Sequence, residues 1–260
     1  MADFVFIRKS RNILSSVLHV ILNILLAVGS IYITIVTGSP IIGLTLVLLS
    51  KWRMFAVRPR YWMLNLKSNL VDLIVGFSFV LITYCSGTTI AIVHAVLAVL
   101  YSLWLVVLKP RSDDISTDIQ SVCAIFFGTT ALCLMAANAD SIFFVLGEFV
   151  IGYAAARHVL VQGDGENYGI LLVSSGLVAA EIAWLSHSWL IVYSFAETGI
   201  IIPQLSIILS ITAFIFGYSY KSLSRNNGKI NWGEIGMPII FSVLLILLMV
   251  IWFSQPIFNV

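Results

Sequence analysis

The chain has 260 residues, 60% of them hydrophobic and only 10% charged, with a mean hydropathy of +1.04 and a formal net charge of +2. Soluble domains carry about 25% charged residues, and a water-soluble fold of this size has too little interior to hide so much apolar surface, so the solvent must be largely lipid. The small net charge excludes an electrostatic nucleic-acid binder. Cys85, Cys123 and Cys133 stand apart in apolar segments with no CxxC, which argues against a disulfide framework or a zinc knuckle and for small buried hydrophobes.

The N-terminus, MADFVFIRKSRN, places cations before an apolar run from Ile13 to Thr37. That run is too long for a signal-peptide core and no small-x-small site closes it, so it reads as a retained first span. Nine candidate helices follow from the apolar segments: 13–36, 40–57, 69–86, 88–108, 117–137, 141–161, 168–186, 200–220 and 236–254. Thr37-Gly38-Ser39-Pro40, Ser86-Gly87-Thr88 and Asn138-Ala139-Asp140 are tight breakers, so the first six segments form three antiparallel hairpins.

Charge tests this count. Arg8, Lys9 and Arg11, then Lys51, Arg53, Arg58, Arg60 and Lys67, then Lys109 and Arg111, then Arg157, then Lys221, Arg225 and Lys229 make up all 14 cations. With nine spans and the N-terminus inside, every one falls at the cytoplasmic face, as the positive-inside rule requires. The expected architecture is one all-α polytopic membrane bundle with a cytoplasmic N-terminus, an extracytoplasmic C-terminus and no soluble domain.

Segment 40–57 is the weak span, because only Pro40 to Ser50 is free of charge; Lys51 and Arg53 must snorkel for it to cross, and otherwise it is re-entrant. The stretch KWRMFAVRPRYWMLNLK mixes Lys51, Arg53, Arg58, Arg60 and Lys67 with Trp52, Phe55, Tyr61 and Trp62. It suits a topology anchor with an aromatic belt, and equally recognition of anionic lipid headgroups or of a protein partner. Lys109 to Asp118 is a solvated loop in which Ser116 or Thr117 would cap the next helix. Gly163 to Gly169 is a turn, since no Lys-Ser/Thr follows to make it a phosphate loop. His187 to Gly199 is too short to cross and return yet too apolar for water. It lies in the interface, dips in as a re-entrant element, or joins a long helix over 188–220 broken at Gly199 and Pro203.

Polar residues inside the spans are the candidate chemistry. At 1.5 Å per residue, Glu148 lies roughly 10 Å deep from the outer face, Glu181 about 8 Å and His94 about 9 Å, with Gln204 near the same level. His187, Tyr193 and Glu197 lie above them. Together these seven residues suit an outward-facing pocket for a cation, a proton or an amine. The competing reading gives each group an interhelical hydrogen bond and a purely structural role. Asp72 and Asp118 stand near cytoplasmic helix ends, where an acid is favourable at a helix N-terminus. His19, about 9 Å from the inner face, is expected to be a packed imidazole. Enzyme signatures are missing. There is no HExxH, Ser174-Ser175-Gly176 lacks the first glycine of a nucleophile elbow, and Glu181 and His187 are six apart, off a common helical face.

The strings LSKWRMFAVRPRYW, NLKSNLVDLIVGFSFV, AARHVL, AAEIAWLSHSWLIVY and IIPQLSIILS resemble a family of uncharacterised multi-pass membrane proteins of Saccharibacteria/Patescibacteria type, over most of the chain. The resemblance implies a bacterial cytoplasmic membrane; it carries no activity and no site residue. Three classes therefore compete, in this order: a small transporter-like or ligand-binding permease, a scaffold or subunit of an envelope complex, and an outer-leaflet lipid-modifying enzyme. No cofactor is expected. The expected partners are the bilayer, anionic lipid at the cytoplasmic face, and a protein in the membrane.

Overall fold

The structure is a computed structural model describing residues 2–87, 91–136, 140–160, 168–188, 190–195, 200–226 and 228–252. Its helices are α1 (Ala2–Thr37), α2 (Pro40–Ser50), α3 (Trp62–Ser68), α4 (Leu70–Cys85), α5 (Ala91–Leu103), α6 (Asp114–Ala136), α7 (Ser141–Leu160), α8 (Tyr168–His187), α9 (Gln204–Arg225) and α10 (Trp232–Trp252). A π-helical turn, Trp104–Leu108, continues α5, and strands β1 (Val192–Phe195) and β2 (Ile200–Pro203) pair between α8 and α9. Among the described residues seven helices are long and apolar enough to cross a membrane, or eight if α3 and α4, bent by 67°, count as one broken span. The chain is a multi-pass helical membrane protein.

The turns work as their residues dictate. Gly38 takes φ +59, a left-handed conformation that costs glycine nothing, and the Ile41 amide donates to the Ser39 hydroxyl, with Pro40 opening α2. The α6 cap differs from expectation: the helix starts at Asp114, and it is Asp113 whose carboxylate accepts from the Ser116 amide at 3.2 Å. Those Ser116 hydrogen bonds hold the Asp113 carboxyl below its ordinary range.

Two expected spans change. Segment 40–57 is helical only to Ser50; its 11 residues extend about 16 Å, too short for about 30 Å of hydrocarbon. The chain then goes through 3₁₀ turns at Trp52–Met54 and Pro59–Tyr61, because Pro59 cannot continue a helix and the cations seek the surface. Segment 200–220 starts as a strand rather than a helix, so no long helix over 188–220 forms. The β-branched run from Ile200 to Ile202 pairs with Tyr193 to Phe195, and the Gln204 amide donates to the Ile191 carbonyl at 2.9 Å as α9 begins. The expected turn at 163–169 lies outside the described residues except Tyr168 and Gly169, which already belong to α8.

α6 separates two packed groups. Ala124 and Ala131 join a core with Ala27 and Ile31 of α1, Val75 and Phe79 of α4, and Leu97 and Tyr101 of α5. Ile125 and Cys133 join a second with Phe144 and Ile151 of α7, Ala179 and Ala183 of α8, and Leu205 and Leu209 of α9. α10 packs on α9.

One end of the bundle gathers the cations. Lys51 and Lys109 both pair with Asp72; Arg157 donates to the Lys67 carbonyl; Gln120 donates to the carbonyls of Leu108 and Arg111 while bonded to His158. Lys221 pairs with Asp118, and Arg225 with Glu234. Short as it is, α2 therefore returns the chain to the basic end.

Candidate functional site

Backbone position puts Glu148, Gln204 and the β hairpin toward the end opposite these cations; Gln204 meets Tyr193 of the hairpin, but Glu148 does not join them. Glu148 is 0% exposed. Its Oε2 accepts from the Thr129 hydroxyl of α6 at 3.0 Å, and its Oε1 has no partner among the described residues. It sits in the second core, near Phe144, Ile151 and Cys133. Glu181 is on the exposed face of α8, while its buried face carries Leu172, Gly176, Ala179, Ala180 and Ala183. Glu148 and Glu181 thus do not share a pocket. The small residues take the interior face of α8, and the long carboxylate is left on the other.

The remaining candidates scatter as well. His94 is buried in the first core, and its Nε2 has no partner among the described residues. His187 is half-buried, its ring 5.5 Å from that of Phe144; with Ser141, Trp184 and Ser188 it lines a shallow hollow of about 280 Å³. Gln204 is buried and structural: its amide nitrogen donates to the Met249 carbonyl of α10 at 2.8 Å, and its side chain also bonds Tyr193. Glu197 lies outside the described residues. His19, expected to be packed, is exposed on α1. Among the described residues no group of three His, Cys, Asp or Glu side chains could hold a metal ion.

Two features were not foreseen. The first is a groove of about 180 Å³ at the middle and basic half of the bundle, floored by α6 and α7 and walled by α8 and α9. Ile125, Gly152, Ala155, Ala179, Leu209 and Ala213 make up much of its surface. Hydroxyls in its wall are already committed: Ser121 donates to the Ala155 carbonyl, Ser175 to Leu171 and Thr212 to Ile208. Those three donors are satisfied within the chain, and the rest of the lining is mostly apolar. Nothing in the helical periodicity announced it, because apolar and small residues such as Ile125, Ala155 and Leu209 look the same in the sequence whether packed or open.

The second is the cluster around Asp72. Its Oδ1 accepts from Trp104 Nε1 at 3.1 Å, and its Oδ2 meets both the Lys51 and Lys109 ammonium groups, Lys109 at 2.9 Å. Burial, and then the Lys109 ammonium alongside, push Lys51 below the usual lysine range. The other cations of the basic stretch, Arg53, Arg58, Arg60 and Lys67, are exposed together with Trp52, Phe55, Tyr61 and Trp62. Arg60 lies 4.6 Å over the Tyr61 ring, and Trp62 Nε1 donates to the Val57 carbonyl at 2.9 Å, so the strip is ordered by its own contacts. The clue to this cluster in the sequence was a lone acid in the first turn of α4 with lysines at two other helix ends.

The chain matches no family model, no curated protein and no solved structure.

Proposed function

We propose that this protein is a membrane-embedded scaffold, a subunit that holds a transmembrane helix of a partner protein in the groove between α8 and α9. The observation that carries this reading is the groove itself: largely apolar, with Gly152, Ala155, Ala179 and Ala213 in its lining, and with the Ser121, Ser175 and Thr212 hydroxyls bonded within the chain. Small side chains let a second backbone approach closely, which is how helices associate in a solvent as apolar as themselves. The sealed position of Glu148 and the outward one of Glu181 weigh against the outward-facing polar pocket a permease would need.

By the positive-inside rule the basic end faces the cytoplasm of a bacterial cell, with the exposed cations and aromatic rings of residues 52–67 at the headgroup level. A reporter joined after Val260 then reads extracytoplasmic; a cytoplasmic reading would reverse the orientation.

A photo-crosslinking residue at Ala213, in the groove, and a second at Met237, 77% exposed on α10, test the scaffold. The Ala213 probe should give a discrete protein adduct in cell membranes and the Met237 probe none. Lipid adducts alone at both positions would remove the partner.

One observation favours a second reading, a carrier in which another conformation opens Glu148 to water: its Oε1 has no partner among the described residues. Proton-coupled uptake into vesicles that is lost in Glu148→Gln would favour the carrier over the scaffold.

A further inference from the structure

We propose that Lys51 and Lys109, held against Asp72, form a binding site for a phosphate oxyanion at the basic end of the bundle. The site is built from charge and donors and does not depend on the groove. Three elements bring the groups together: the end of α2, the first turn of α4 and the π-helical turn after α5. A π turn shifts the residues that follow it off the α-helical register, and such turns recur at functional sites; here it brings Trp104 and Lys109 to the same carboxylate.

Asp72 can neutralise one ammonium, not two. Its Oδ1 is taken by Trp104 and its Oδ2 by both lysines. No other carboxylate among the described residues pairs with either lysine: Asp118 is engaged by Lys221 and Glu234 by Arg225. With both lysines charged one would stay unbalanced, and the cluster relieves this by holding the Lys51 pKa down to about 6; an anion beside them would let both stay ammonium, each with N–H groups to spare. Lys51 is 9% exposed and Asp72 12%, where an uncompensated charge is costly; Lys109, at 35%, leaves the cluster reachable from outside.

A phosphate oxyanion supplies what is missing, a negative charge and several acceptor oxygens that two ammonium groups can share. The surroundings point to a membrane source. Trp52, 61% exposed, directly follows Lys51, and Phe55, Trp62 and Met63 extend the exposed apolar strip at which lipid headgroups end. Inorganic phosphate or a soluble phosphate ester offers the same chemistry, and the test separates the two.

The full-length protein is placed in nanodiscs of phosphatidylcholine alone or with one-fifth phosphatidylglycerol, and retained lipid is counted by native mass spectrometry beside thermal unfolding. The wild type should retain phosphatidylglycerol over phosphatidylcholine and unfold at higher temperature in the mixed discs. Lys109→Gln should lower that retention about tenfold, whereas Lys229→Gln, an exposed cation elsewhere at the same end, should leave it unchanged. Asp72→Asn removes the competing carboxylate, so it should lose stability in phosphatidylcholine discs and regain it with phosphatidylglycerol. If millimolar inorganic phosphate stabilises the protein in phosphatidylcholine discs in a Lys109-dependent way, the site stands and its occupant comes from solution. Equal losses in Lys109→Gln and Lys229→Gln would show diffuse surface charge and overturn the site, as would no response to either form of phosphate.

Discussion

The two sides of α8 are built differently. Toward α7 its backbone is in near contact: a methyl added at Gly152 would sit 2.6 Å from the Ala179 Cβ and 3.1 Å from the Ser175 carbonyl oxygen, and one at Gly176 would meet the Phe149 carbonyl oxygen at 2.9 Å. Toward α9 a space of about 180 Å³ remains, although Ala213 on that side is as small as Ala179 of the seam. Small side chains alone therefore do not close an interface. In lipid they permit approach, and dispersion between well-fitted surfaces holds it. α7 and α8 use that permission on each other, and α8 and α9 leave a space between them.

The sharpest way to break the comparison is Gly152→Leu. Its side chain has no room that does not require moving α8 backbone, and overpacking of this kind costs about 3 kcal/mol or more. We expect loss of folded protein in detergent, read by thermal unfolding and by yield. Ala213→Leu is the matched change on the open side. It should leave stability within about 0.5 kcal/mol of wild type while abolishing crosslinking from the neighbouring position Thr212. If both variants unfold alike, the groove is a closed interface and the scaffold reading loses its basis.

The next largest effect concerns Glu148. Thr129→Val removes the hydrogen-bond partner that a fully buried carboxyl has among the described residues, at a cost of about 1–3 kcal/mol. Pairing it with Glu148→Met, so that neither polar group remains, should restore much of that loss in the same unfolding assay, because an apolar pair of similar shape leaves nothing unsatisfied. A double variant less stable than the single one would mean that Glu148 has a further favourable contact.

The class of fold was legible because lipid leaves a coarse signature: long apolar helices, breakers such as Gly38 and Ser39-Pro40, and cations that collect at one end. What failed was whatever depended on rotation about a helix axis. Glu148 and Glu181 share a depth, and depth can be counted in residues; which face each occupies depends on whether Thr129 or lipid lies beside it. The β hairpin was hidden for another reason. Ile200 to Ile202 is as apolar as any helix start, and only Pro203 and the β-branched run hinted at an extended backbone. Asp72 stands where a helix-end acid is expected, but its two lysines come from chain segments that no local pattern connects.

The smallest expected effect lies beneath the groove, where Asp118 and Lys221 join α6 to α9. The pair is close, at 2.6 Å, and Lys221 also donates to the Asp114 carbonyl at 3.0 Å, yet the side chains are 32% and 22% exposed. Water and salt screen such a pair, so Lys221→Gln should cost about 0.2–1 kcal/mol and the cost should shrink as salt rises. The Asp118 Oδ1 has no partner among the described residues and borders a hollow of about 30 Å³ between Ser121, Gly217 and Tyr218, room enough for a water. A loss well above 1 kcal/mol that salt does not reduce would show that the pair is dry. The basic end would then close the groove from below, and a partner helix could reach it only from the side.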